Sequence, residues 1–284
     1  MRAGRIFMTS QGNAAVSPVS LLSSLVSNQR LIFQLARREV SSRYKGSVLG
    51  MVWSLFTPVF MLAVYTFVFS AIFKSRWGGG GGNENRAQFA LILFTGMIML
   101  NFFNEVLNRA PALIIANVNY VKKVIFPLEI LPVVATASAL FNALVSLIVL
   151  LAAFFVFNSH LHWTVIFIFP VLLPLVILTL GLAWFLAALG VFLRDVGQTI
   201  VIVTTALMFL SPIFYPLSAV PVRFQPYVLA NPLTFIIGQA RDVIMWGIVP
   251  DWLGLGTYMG GACVLACAGY AWFQYMRKGF ADVL

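Results

Sequence analysis

The side chains able to do chemistry are few, and the densest group is basic. Arg37, Arg38, Arg43 and Lys45 fall within nine residues, directly ahead of a run, 46–73, that carries no formal charge. Cations placed there attract anionic headgroups and bias the topology of a membrane chain. On a helix turning about 100° per residue, Arg30, Gln34, Arg37, Arg38, Ser41 and Lys45 share one face, and Ile32, Phe33, Leu35, Ala36, Val40 and Tyr44 share the other. Such a helix lies in the plane of the headgroups. Glu39 and Arg43 interrupt the apolar face four residues apart, a spacing that lets them pair. Their cost in lipid alone predicts that this face meets protein as well as acyl chain.

The other candidates are sparser. His160 and His162, the only histidines, stand two apart without a cysteine, a third histidine or a close carboxylate, so no metal site is expected and interfacial hydrogen bonding is. Cys263 and Cys267 share one helix face, where they pack and are not readily bridged. The five glycines at 78–82 lack the Lys-Ser or Lys-Thr of a phosphate loop and are expected to form a flexible loop. No His-Glu-x-x-His, Gly-x-Ser-x-Gly or Walker A pattern occurs. Each of the eight acidic residues lies at or beyond the end of an apolar run, whereas an ion-coupled carrier buries carboxylates within its spans. Uphill transport would therefore draw on a separate ATPase.

Two further patterns concern contact. Asn101, Asn104, Glu105 and Asn108 share one helix face, with Arg109 four residues after Glu105. They need partners near the bilayer boundary, either through helix packing and capping or through cargo. Trp53, Phe56, Phe60 and Phe67 form an aromatic stripe, with Val64 in register. It serves lipid contact and helix packing, or it lines a sugar-conducting path, because aromatic rings suit the apolar faces of pyranoses.

The elements that position these residues are membrane helices. Hydrophobic residues make up 61% and charged residues 9% of the 284, against about 25% charged in soluble chains, so the fold class is an all-α polytopic membrane protein. Six transmembrane helices are expected, at about 46–73, 87–107, 130–157, 163–193, 196–216 and 252–276. The first run, 28 residues, would measure about 42 Å as a helix, longer than the roughly 30 Å hydrocarbon core. Residues 1–29 read as a cytoplasmic lead-in without the form of a signal peptide, helical near 21–26, and 30–45 as the amphipathic interface helix. The loop 109–129 mixes apolar residues with Lys122 and Lys123 and suits a short helix docked on another protein. Residues 158–162 form a tight turn. Prolines interrupt 217–251, which fits re-entrant or interfacial helices between helices 5 and 6. With both termini cytoplasmic, 13 of the 18 Lys and Arg residues lie inside and Lys74, Arg76, Arg86, Arg223 and Arg241 outside, following the positive-inside rule.

RRE at 37–39, RYKGSVLG at 43–50, WSLFTP at 53–58, VYTFVFSAIFK at 64–74, NYVKKVIFPLEILP at 119–132, LRDVGQ at 193–198, SPIFYP at 211–216 and NPLT at 231–234 occur in this order. Together they resemble the membrane subunit of type-2 ABC exporters over about residues 30–280, and within that family the Wzm type of O-antigen polysaccharide permease. The resemblance implies a transport subunit without enzymatic activity or a cofactor of its own. It implies a homodimer bound to two copies of a nucleotide-binding subunit that holds ATP and Mg. The implied cargo is an undecaprenyl-diphosphate-linked polysaccharide, O-antigen first and capsule or teichoic acid within the family, moved across the bacterial inner membrane.

On the same resemblance, Arg37, Arg38, Arg43 and Lys45 would gate the lipid diphosphate, since guanidinium forks match phosphate oxygens; topology and anionic lipid account for them equally well. Asn117, Asn119, Tyr120, Lys122 and Lys123 would contact the ATPase, and 217–251 would form paired outer gate helices. The glycine run carries no inherited role. Two other classes stay open. One is an integral membrane glycan or lipid transferase that collects a polyprenyl phosphate on the basic helix, for which Glu39, Glu105 and Glu129 are available but not clustered in sequence. The other is a gradient-driven flippase.

Overall fold

A computed structural model describes residues 18–47, 49–72, 86–121 and 126–284. The described residues form helices and turns, with no strand among them. α1 (Pro18–Ser27) covers the stretch where the lead-in is expected to be helical, and α2 (Gln29–Tyr44) is the amphipathic helix. Gly46 and Gly50, at φ 90° and 51°, then turn the chain through left-handed conformations that a Cβ would strain. The first long helix, α3 (Val52–Thr66), therefore begins at Val52 and not at 46, because the first residues of the uncharged run make the turn. It continues through a π-helical turn at Phe67–Ile72.

α4 (Arg86–Arg109) is the centre of the bundle, and residues 89–100 are all buried. Two 3-10 turns, Ala110–Ala112 and Ile115–Asn117, lead from it into α5 (Val118–Val121). α6 (Ile130–Asn158) and α7 (Ile168–Phe192) are joined through Ser159 and a 3-10 turn at Trp163–Phe167. α8 (Val196–Leu210) is a 15-residue apolar helix, about 22 Å long at 1.5 Å per residue. The chain then runs through short elements, α9 (Gln225–Leu229), α10 (Pro232–Arg241) and a π-helical turn at Asp242–Trp246. It ends in α11 (Trp252–Met276) and α12 (Phe280–Val283).

Among the described residues, five helices are long and apolar enough to cross a membrane: Val52–Phe69, Gln88–Ala112, Ile130–Asn158, Trp163–Phe192 and Trp252–Val283. The fifth expected crossing, 196–216, is the shorter α8 followed by an irregular turn. The chain is thus a multi-pass helical membrane protein. In lipid the hydrophobic effect gives little drive for helices to associate, so close contact replaces it. Gly181 on α7 and Gly269 on α11 meet so closely that a Cβ on Gly269 would collide with the Gly181 carbonyl, and one on Gly181 would lie 2.5 Å from the Ala266 Cα. α3, α6, α7, α8 and α10 pack around α4. The glycine run at 78–82, Lys122 and Lys123 lie outside the described residues.

Candidate functional site

α2 lies across α6 and meets the end of α4 with its acidic and basic side chains. Glu39 pairs with Arg109 and accepts a hydrogen bond from it, and Arg43 pairs with Glu105. The pairing of Glu39 with Arg43 that the spacing allows gives way to these two. Each helix carries two opposite charges four residues apart, and packing one helix on the other brings the partners across the interface closer than those along α2. Arg109 Nη1 also stands 3.8 Å from Glu105, and the Asn142 amide on α6 donates to both Glu105 oxygens at 3.1 and 3.3 Å. The charged residues on the apolar side of α2 meet protein.

The four basic candidates differ in their surroundings. Arg43 is engaged by Glu105, and Arg38 Nη2 donates to the Tyr120 hydroxyl at 3.1 Å. Arg37 and Lys45 are exposed and make no ion pair with a described residue. Between α2, the end of α4 and the segment leading to α5 lies a cavity of about 430 Å³, lined by Arg38, Glu39, Ser42, Asn108, Arg109, Asn117 and Tyr120 among others. Tyr120 stacks on Phe126 with centroids 4.3 Å apart, the Asn117 amide donates to the Leu113 carbonyl at 2.8 Å, and Asn119 is exposed.

The aromatic stripe faces away from the bundle: Trp53, Phe56, Phe60 and Phe67 are 39, 46, 54 and 63% exposed. Trp53 meets Phe56 edge-on at 5.2 Å, and Phe56 stacks with Phe60 at 5.8 Å. The adjoining side of α3 turns Ser54, Thr57 and Tyr65 toward α4 and α6, across a cleft of about 240 Å³ that Tyr44, Asn101, Glu105, Asn142 and Ser146 also line. The polar stripe on α4 is thereby divided. Asn101 opens to this cleft, Glu105 joins the charged cluster, and Asn108 accepts from Thr204 of α8 at 2.9 Å.

Toward the other end of α4, the segment 211–241 folds back on the bundle. Asn231 caps α10 by accepting from the Leu233 N–H at 2.9 Å, and its amide donates to Ser211 Oγ at 2.8 Å, so the SPIFYP and NPLT stretches meet directly. Arg241, counted by sequence among the outer loop charges, is 4% exposed. It donates to the carbonyls of Ile92 at 3.1 Å, Pro212 at 2.6 Å and Ile213 at 3.1 Å. The irregular backbone of 211–216 leaves carbonyls without helical partners, and the guanidinium fork supplies their donors.

Sequence reasoning also missed a node at the α5 end. Glu129 is buried, accepts from Ser24 Oγ at 2.9 Å and pairs with Arg277 at 2.8 Å, while its backbone carbonyl accepts from Trp184 Nε1 at 2.9 Å. It joins α1 and the C-terminal end of α11 to the segment after α5. The only available signal was that Glu129 and Arg277 each stand at the end of an apolar run, where a charge needs a partner.

Apolar helices around a buried centre, a basic helix along one end and polar clefts between the helices describe a membrane transport component. The chain belongs to the ABC-2 type transporter family, whose model matches residues 30–245. It is similar to the O-antigen export system permease protein RfbA of Myxococcus xanthus, 26% identical over 266 residues that cover 93% of this chain and 99% of that protein. RfbA of Klebsiella pneumoniae is 24% identical, with 89% and 95% covered. The polysialic acid transport protein KpsM of Escherichia coli is 24% identical, with 77% and 82% covered.

Proposed function

We propose that this chain is the membrane subunit of an ATP-driven exporter that carries a lipid-linked polysaccharide across the bacterial inner membrane, with O-antigen as the first candidate cargo. One observation carries this: relatives named for O-antigen export align with the chain over nearly their whole lengths. The relative named for polysialic acid transport favours an acidic polysaccharide as the second reading. The working unit is a homodimer in which α3 and α8, both with exposed apolar faces, approach the second copy, and six crossings per subunit leave the termini cytoplasmic.

ATP and Mg belong to a separate nucleotide-binding subunit, which docks two copies against Asn117, Asn119, Tyr120, Lys122 and Lys123. Arg37 and Lys45 offer free cations to the lipid diphosphate, with Arg38 and Arg43 beside them already held by Tyr120 and Glu105. Residues 217–251 form the outer gate. ATP binding draws the nucleotide-binding subunits together, moves the α5 segments and changes the spacing of α3 and α8 across the dimer.

The test is deletion of the reading frame followed by gel staining of surface polysaccharide, together with co-purification of an ATPase. Loss of the polysaccharide at the surface with accumulation inside is expected, and ATP turnover should rise with the lipid-linked glycan. An ATPase that never co-purifies, with surface polysaccharide unchanged, rejects the proposal and favours a transferase or a gradient-driven flippase.

A further inference from the structure

The cleft between α3, α4 and α6 combines features that packing alone does not require. Asn101 lies eight residues before Arg109, about 12 Å along α4 from that end. It is exposed and makes no hydrogen bond within the described chain, although its helix is otherwise the most buried of the bundle. An unpaired amide at that depth is costly against lipid and tolerable against water or a polar ligand. Facing it, the Ser54 and Thr57 hydroxyls donate to the Met51 and Trp53 carbonyls at 2.8 and 2.9 Å. Their oxygens keep lone pairs for an incoming donor. Tyr65 lies eleven residues beyond Ser54, so the polar lining runs about 16 Å along α3.

The electrostatics narrow the ligand. Among the described residues Glu105 is the only charged side chain lining the cleft, and Arg43, Arg109 and Asn142 already engage it. No lysine or arginine among the described residues lines the cleft, so none of them is placed there to neutralise a phosphate. Hydroxyls, amides and two tyrosines set beside Met61, Phe94, Ile98 and Phe102 in about 240 Å³ suit a neutral polyhydroxyl group of about one ring, whose rim hydrogen-bonds and whose faces are apolar.

We propose that this cleft binds a neutral sugar unit of the translocated glycan, with Asn101 as its principal hydrogen-bonding side chain. The proposal rests on the polysaccharide-export function given above. α3 then presents two kinds of surface, a hydrogen-bonding face into the cleft and a ring face on its outer side.

The test uses cells that carry the whole chain with its ATPase. Asn101→Leu removes the amide from a position with no partner to lose, so a packing or lipid-facing role leaves thermal stability and export level or improved. Sugar binding lowers surface polysaccharide per unit of protein by about fivefold or more, the scale of one lost hydrogen bond, with stability retained, and Asn101→Ser recovers most of it. A second readout is photocross-linking from Asn101→p-benzoylphenylalanine, with Ile148→p-benzoylphenylalanine on the exposed face of α6 as control, and staining of the purified chain for carbohydrate. Carbohydrate attached at 101 and not at 148 supports the cleft. Wild-type export by Asn101→Leu, or attachment of phospholipid alone, overturns the sugar site and leaves the export function standing. Unchanged surface polysaccharide after deletion of the whole chain overturns both.

Discussion

Glu39 on the surface helix α2 pairs with Arg109 at the end of α4, and not with Arg43 one turn along its own helix. The surface helix is thus tied to the central helix of the bundle by two crossed charge pairs. A double-mutant cycle on Glu39→Gln and Arg109→Gln should give a coupling of about 1 kcal/mol by thermal unfolding in detergent, since the side chains are about a quarter to a third exposed. The cycle on Glu39→Gln and Arg43→Gln should give a smaller value. A larger coupling along α2 than across the interface would show that the crossed arrangement is not the stable one.

The contact between α7 and α11 gives a sharper stability test. Gly269→Ala drives a Cβ into the Gly181 carbonyl, whereas Gly260→Ala on the same helix meets nothing within 4 Å. The first substitution should cost about 1–3 kcal/mol as overpacking and lower the yield of folded protein. The second should be neutral or slightly favourable. Equal melting temperatures for the two variants would mean that the helices part easily at Gly181.

Arg241 should behave as a structural staple. Arg241→Met removes the donor to the Pro212 and Ile213 carbonyls and a second donor to that of Ile92 inside α4, a loss of about 3 kcal/mol. Arg241→Lys keeps the charge but not the fork and should recover only part of it. Gly96→Ala, whose Cβ would come 3.0 Å from the same guanidinium, should cost less because a side-chain end can shift. Differential scanning of the three purified variants reads this order directly.

These cases show what was legible in the sequence. The expected runs 130–157 and 252–276 correspond to α6 and α11 almost residue for residue, because long apolar stretches between breakers admit one structure. The start of the first helix was not legible. Residues 46–51 are as uncharged as the helix after them, and only the backbone turns at Gly46 and Gly50 separate the two. Charge partners were hidden for a different reason. A spacing of four along α2 names one possible partner for Glu39, but tertiary packing supplied another 70 residues away. Arg241 looked like a loop charge because the carbonyls that bind it come from α4 and from the turn after α8.

The aromatic stripe allows a test that separates its two roles. Trp53, Phe56 and Phe60 lie on the exposed side of α3, where lipid contact and a glycan path at a dimer interface both require apolar surface. Only the path requires flat rings, which stack on the apolar face of a sugar as branched side chains do not. The combined variant Trp53→Leu, Phe56→Leu and Phe60→Leu keeps the apolar character and helix propensity while removing every ring. If the stripe contacts the glycan, surface polysaccharide should fall about tenfold or more at equal protein level, which corresponds to about 1.4 kcal/mol. Basal ATP turnover by the partner should stay within about twofold, since α5 and its neighbours are untouched, so that variation remains under about 0.5 kcal/mol. Export at the wild-type level by this variant assigns the stripe to lipid or subunit packing and moves the glycan path to another face of the bundle.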